Sequence, residues 1–200
     1  ALIDNGTSAS FNAPSAIVLD NDGKIHIANS NDNKLSKMDT AELVAGTGPL
    51  KSNSTLTGGT IGTVAYTTTN SSGTVITTDT ENNRVSIYDK DGHHVNDVTT
   101  VTSPVGVAQN STGHIFVAQN NTNTIHILHP DGSYTGDQIG GNTDVVQFGN
   151  LEGLTIDSSD NLIIVDKGNA TVDSTVLKIT QGKSVLLNVT GFTSPRDTAV

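Results

Sequence analysis

Short apolar runs alternate with polar turns along this chain. Residues 16–19 are apolar, Asn21-Asp22-Gly23 is a turn signal, Ile25-His26-Ile27-Ala28 is a second run, Asn31-Asp32-Asn33 is a second turn, and residues 35–38 read as a third strand. Strand, tight turn, strand, tight turn, strand is an antiparallel meander. Gly23 recurs as Gly73 and Gly113, where positive φ is needed, and Asp160 stands at that place in a fourth copy. Asn83 and Asn123 mark the second turn, since asparagine tolerates the left-handed region and bonds its own backbone. Asp91-Gly92, Asp131-Gly132 and Gln181-Gly182 predict a further turn into a fourth, outer strand, such as residues 94–98 or 185–189.

The meander repeats. FNAPSAIVLDNDGKIHIANSNDNKL from Phe11 is followed by equivalent stretches from Ile61, Val101 and Phe148, the last with an insertion, and FTSPRDTAV from Phe192 begins a fifth. Spacings of 50, 40, 47 and 44 residues between starts indicate a radial or stacked β array. Four strands per unit make a propeller blade. The expected fold is therefore an all-β propeller over residues 1–200, with four blades and part of a fifth. Residues 1–4 read as a short outer strand and residues 193–200 as the inner strand of the fifth blade. That favours a segment of a longer propeller over a compact four-bladed ring.

Composition fits many small cores better than one large one. Hydrophobic residues are 34% and aromatic residues 4%, with no tryptophan, so each unit need only cover the faces beside it. The formal charge of −10, with basic residues scattered singly, argues against nucleic-acid binding. No run of 18 apolar residues exists to span a bilayer as a helix. With no cysteine, disulfides, thiolate catalysis and cysteine-ligated zinc are excluded. A first residue of alanine fits removal of a leader and equally a trimmed chain. Asn-x-Ser/Thr triplets at Asn5, Asn53, Asn70, Asn110, Asn120, Asn169 and Asn188 are candidate glycosylation sites in a chain rich in these residues.

The repeat resembles the NHL repeat. Its features are a proline-led first strand, a turn ending in glycine, and Asp79-Thr80-Glu81-Asn82-Asn83-Arg84-Val85 before the third strand, with Asp32-Asn33-Lys34-Leu35 a close second. Pro14, Pro104 and Pro195 hold the proline position, from which Val64 and Leu151 depart; Gln119 and Thr124 replace the usual Asp and Arg in the third copy. The resemblance implies a propeller whose ligands meet one face of the ring, where the inner strands begin. The equivalent positions here are Ser15, Ala65, Val105, Glu152 and Arg196. Glu152 and Arg196 would come from adjacent blades, either to contact a polar ligand or to form a structural ion pair worth at most about 1 kcal/mol if exposed.

No converging catalytic set is visible. His26 and His114 stand at different positions of their second strands, alternation sends His126 and His129 to opposite faces, and His93 and His94 follow a turn. Zinc needs ligands that meet at a point. Asp20-Asn21-Asp22-Gly23 looks like the start of a calcium loop but lacks the later ligands, and a hairpin turn accounts for it. No nucleophile elbow is present. The expectation is a non-catalytic extracellular or cell-surface module, with no cofactor or metal, that holds a protein or glycan ligand or self-associates through incomplete blade edges. The alternative implied by the resemblance is a metal-dependent lyase or lactonase with Glu152 as metal ligand; a third is the sensor domain of a membrane receptor.

Overall fold

The computed structural model describes residues 13–30, 34–40, 62–141 and 146–197. The expected outer strand over residues 1–4, the first residues of the copies at Phe11 and Ile61, sequons Asn5 and Asn53, and residues 198–200 lie outside these. The chain is an all-β propeller of four blades, and every neighbouring pair of strands is antiparallel. The first blade shows β1 (Pro14–Leu19), β2 (Lys24–Asn29) and β3 (Lys34–Asp39). The second holds β4 (Val64–Thr69), β5 (Val75–Asp79), β6 (Arg84–Tyr88) and β7 (His94–Val98). The third holds β8 (Pro104–Gln109), β9 (Ile115–Gln119), β10 (Thr124–Leu128) and β11 (Tyr134–Gly140). The fourth holds β12 (Leu151–Ile156), β13 (Leu162–Asp166), β14 (Thr175–Ile179) and β15 (Val185–Thr190).

Two recurrent polar columns shape each blade. Where an inner strand ends, Asp20, Asn70, Asn110 and Asp157 accept backbone N–H groups two or four residues on, as in Asp22 N and Lys24 N to Asp20 Oδ1 at 3.0 and 2.8 Å. This is an Asx turn within the hairpin that the sequence suggested, and with His26 it engages both oxygens of Asp20. Where a second strand ends, Asn29, Asp79, Gln119 and Asp166 are all buried. Asp166 is fully buried and accepts N–H from Gly149, Asn150 and Gly168 at 2.8, 2.7 and 2.9 Å. Gln119 does the same for Thr102 N at 2.6 Å. In the third and fourth blades the chain approaching the inner strand is thus tied to the second strand of its own blade, whereas Asn29 bonds Ser36 and Asp79 bonds Asn82 and Arg84.

Positive φ falls where expected at Gly73, Gly113, Asn83, Asn123 and Asp160. In the last outer turn it falls on Lys183 (φ 66) and not on Gly182, so the glycine sits one residue early. Ala13, Ser103 and Ser194 share positive φ directly before Pro14, Pro104 and Pro195. The fifth copy therefore starts with the local turn of the first and third, although residues 192–197 form no strand.

The blades stack face to face. Each has a leading face toward the next copy and a trailing face toward the previous one. Ile76, Val85, Ile87 and Val98 of the second blade pack on Val107, Ile115, Val117 and Leu128 of the third. Phe116, Ala118, Ile125 and Ile139 then pack on Leu154, Leu162, Ile164 and Leu177 of the fourth. Between the first two blades the apolar cluster is smaller, with Ala28 and Leu35 against Val64, Val75 and Tyr88. Beside it lies a polar network: Arg84 bridges Asp79 and Asp97 at 3.0 and 2.7 Å, and Asp97 also accepts from Ser86 at 2.7 Å. Inner strands neighbour one another in the order β1, β4, β8, β12, and no comparable contact returns from β12 to β1.

Two consequences are measurable. Asp166→Ala leaves three backbone donors without their carboxylate and lowers stability by about 3 kcal/mol in urea unfolding. His26 is fully buried, with its Nε2 2.8 Å from Asp20 and with Lys37 nearby. Burial holds its pKa below the ordinary 6.5, although Asp20 pulls the other way. The unfolded chain therefore gains the proton first as pH falls through 6.5, and stability declines by up to about 1.4 kcal/mol per pH unit until the folded imidazole also protonates. Asp20, held low despite burial by its bonds to His26 and Lys24, extends the loss below pH 3.8. Urea midpoints at pH 7 and pH 5.5 should separate in the native chain and converge in His26→Gln.

Candidate functional site

Every inner strand carries a register shift just after its first residue. It lies between Pro14 and Ala16, Val64 and Thr67, Pro104 and Gly106, and Leu151 and Gly153. The residues in the bulges are Ser15, Ala65 with Tyr66, Val105, and Glu152. These are four of the five positions singled out from the sequence. A bulge re-aims side chains and sharpens local twist, and here it does so once per blade around the axis.

The bulged strands enclose a cleft of about 480 Å³ lined by Ser15, Ala16, Ile17, Val18, Ala65, Tyr66, Thr67, Thr68, Val107, Leu154, Thr155 and Asp197. Ser15 and Ala65 line it directly. Ser15 Oγ is 2.8 Å from Ser30 Oγ, which accepts Val64 N at 3.3 Å and so links the first two blades. Val105 packs against the core between the third and fourth blades. Glu152 meets Lys167 of its own blade at 3.7 Å, so its ion pair is not with Arg196. Arg196 contributes its backbone carbonyl, which accepts from Tyr66 Oη at 2.6 Å.

Tyr66 is the residue that sequence reasoning missed. Its phenol reaches from the second blade to the fourth, where a Cβ on Gly153 would sit 2.9 Å from Oη and 3.2 Å from the Arg196 carbonyl. Glycine is required there because a side chain and a backbone oxygen already fill the space. Burial pushes the Tyr66 pKa far above the ordinary 10.0, reinforced by the carboxylates of Asp197 and Glu152. The phenol therefore stays a neutral hydrogen-bond donor. Its spacing two residues after Val64, just inside the strand start, was the available signal. Asp197 and Thr155 were equally unmarked, since their place on the cleft depends on how the chain crosses the ring.

The histidines stay away from this cleft. His26 is buried between the first and second blades; His93 is exposed beside Asp89 at 3.0 Å; His94 pairs with Asp97 at 2.9 Å. His126 stacks on Tyr134 at 5.0 Å between ring centroids, and burial lowers its pKa. His114 and His129 do approach, with ring centroids 5.6 Å apart, because the first and third strands of a meander end on the same side of the sheet. Among the described residues no group of three or more His, Asp or Glu is placed to hold a metal ion. Of the sequons, Asn169 and Asn188 are exposed and Asn70 and Asn120 half-buried. Asn110 is buried and bonds His114 N at 2.8 Å and Gln181 at 3.1 Å.

No protein-family model matches the chain, and no curated protein does. Solved structures do. A streptogramin B lyase superposes with a TM-score of 0.66 at 19% identity, over 92% of this chain and 56% of that one. A catalytically inactive virginiamycin B lyase variant from Staphylococcus aureus, solved with quinupristin, gives 0.69 at 16% identity over 97% and 61%. Hydrazine synthase from Kuenenia stuttgartiensis gives 0.68 at 14% identity over 94% and 52%. The chain thus spans little more than half the length of these proteins. At such identities the likeness shows the fold, a β-propeller, and the different names attached to that one fold show how little it says of chemistry.

Tyr66 and Tyr88 ionise late, Tyr88 pushed up to about 12 by burial. Tyr66→Phe should remove one late-ionising phenol from an alkaline absorbance titration and lower stability by about 1 kcal/mol through the lost bond to Arg196. A phenol lost instead from the ordinary range near pH 10 would place Tyr66 in solvent.

Proposed function

We propose that this chain is a binding propeller of the NHL type: a non-catalytic extracellular or cell-surface module that holds a neutral polar stretch of a protein or glycan ligand in its axial cleft. The observation that carries this reading is the lining. Ser15, Thr67, Thr68, Thr155 and the Tyr66 phenol bring neutral polar groups beside Ala16, Ala65, Val107 and Leu154, with Asp197 as the carboxylate. Apolar walls with a few fixed polar groups make a site that recognises shape and hydrogen bonding. Exposed sequons Asn169 and Asn188 are compatible with a glycosylated, exported chain.

A second reading has one observation in its favour, the likeness to two lyases. Under it the cleft would hold a substrate such as quinupristin, and Glu152 would serve as metal ligand once released from Lys167. Mass spectrometry of quinupristin incubated with the chain and divalent metal separates the readings. Turnover that Glu152→Gln abolishes would replace the binding assignment.

Ala65→Trp fills the cleft from a half-buried position without touching the packed faces. Titration calorimetry against ligands recovered from peptide and glycan arrays should show affinity reduced by about tenfold or more in this variant, with an unchanged melting temperature. Binding that survives the substitution would move the ligand site off the axis.

A further inference from the structure

The third blade packs on a neighbour at each face, and one end of its sheet sets two histidines side by side. The ring centroids of His114 and His129 are 5.6 Å apart. Register explains the approach. Ile115 of β9 pairs with Leu128 of β10, and the histidines stand one residue beyond that pair, so their side chains leave the same face opposite each other. Two tight turns hold them: Asn110 N donates to the His114 carbonyl at 3.0 Å, and His129 N donates to the Ser133 carbonyl at 2.8 Å. His114 is half-buried and His129 is exposed.

A chain of hydrogen bonds fixes which nitrogen of His114 carries the proton. Gln181 Nε2 donates to the Asp160 carbonyl at 3.2 Å, which leaves Gln181 Oε1 to accept from Asn110 Nδ2 at 3.1 Å. Asn110 Oδ1 then accepts His114 N at 2.8 Å and the Thr112 hydroxyl at 2.9 Å. With its proton given to Asn110, Thr112 Oγ1 accepts from His114 Nδ1 at 3.0 Å. The neutral ring therefore keeps its lone pair on Nε2. An imidazole that donates Nδ1–H to a fixed oxygen and presents Nε2 is oriented as a metal ligand is.

The fold itself does not call for two imidazoles here. The equivalent places in the other blades hold Lys24 with Asp39, Thr74 with Asp89, and Asn161 with Thr180. Asp89 and Thr180 accept the N–H four residues on, His93 N at 2.9 Å and Ser184 N at 3.1 Å. His129 gives up that role, and Asp131 accepts Ser133 N at 2.8 Å in its stead.

We propose that His114 and His129 form a binding site for a divalent transition cation of the Zn2+ or Cu2+ type, held by the two imidazoles with water in its remaining positions. Imidazole selects such ions over Mg2+ and Ca2+, which take oxygen ligands. With metal–nitrogen bonds of about 2.0–2.1 Å, two rings on a tetrahedral ion have centroids about 5 Å apart, so a small turn of the exposed His129 ring suffices. Asp131, whose carboxylate also accepts the Ser133 hydroxyl at 2.6 Å, lies within electrostatic reach of His129 and adds negative charge beside the site. None of the residues that line the axial cleft takes part.

Titration calorimetry of the chelator-treated chain with zinc chloride should show one Zn2+ bound per chain, unaffected by excess Mg2+, and Zn2+ should raise the melting temperature. His114→Asn and His129→Asn should each weaken binding by about tenfold or more, and Thr112→Val, which removes the oxygen behind His114, by about tenfold. His93→Asn, at an exposed histidine outside the pair, should bind as the native chain does. Because His129 is exposed, its variant should keep the native circular dichroism and carries the test even where His114→Asn disturbs the turn. No Zn2+ bound at about 1 mM, or binding that survives His129→Asn, overturns the proposal. Thr112→Val without effect overturns the assignment of His114 Nε2 as the ligating atom.

Discussion

Face-to-face stacking of small sheets is the constraint on which this structure rests. A blade of strands five to seven residues long has no interior of its own, so its apolar side chains are buried only by the neighbouring blade. Phe116, Ile125, Leu162 and Ile164 are core because the third and fourth blades meet; separated, each would face water at a cost of about 1.5–3 kcal/mol per large side chain. Stability is therefore built junction by junction. The junction between the first two blades is the more polar one, with Arg84, Asp97 and Ser86 occupying space that valine and isoleucine fill at the next.

Stacking requires the sheets to keep a fixed orientation about the axis, and the buried polar columns provide it. Asp166 and Gln119 hold the incoming chain against the second strand just before the inner strand begins. Thr80 adds a bond from its hydroxyl to the Pro104 carbonyl of the next blade at 2.6 Å. A chain with 34% hydrophobic residues thus gains order from satisfied, buried hydrogen bonds as well as from apolar area. The inner-strand bulges follow from the same geometry. The strand must turn from its tether into the sheet; of the residues in the bulges, Ser15, Ala65 and Tyr66 line the cleft, whereas Val105 packs against the core between blades.

The cleft inherits its chemistry from those bulges and from the side chains that follow them. Tyr66 joins the second blade to the fourth through Gly153 and the Arg196 carbonyl, so its hydroxyl is a fixed donor and not a mobile one. Glu152, the acidic residue closest to a ligand role by position, is held by Lys167. Among the residues that line the cleft, Asp197 is the carboxylate, beside the neutral groups of Ser15, Tyr66, Thr67, Thr68 and Thr155.

The sequence by itself determined the repeat, the strands and the turns. Short apolar runs bounded by turn signals specify strands, and Gly23, Gly73, Gly113, Asn83 and Asn123 specify tight turns through backbone effects that act within a few residues. It also marked the bulged positions Ser15, Ala65, Val105 and Glu152, because their place after the proline column repeats with the blade. What only the tertiary structure decided lies between blades. Tyr66 and Asp197 are far apart in sequence and share one cleft, and Glu152 takes Lys167 over Arg196. The physical reason is that turn and strand preferences are local, whereas contacts across a junction depend on the twist and tilt with which one sheet meets the next, and no local pattern encodes that angle.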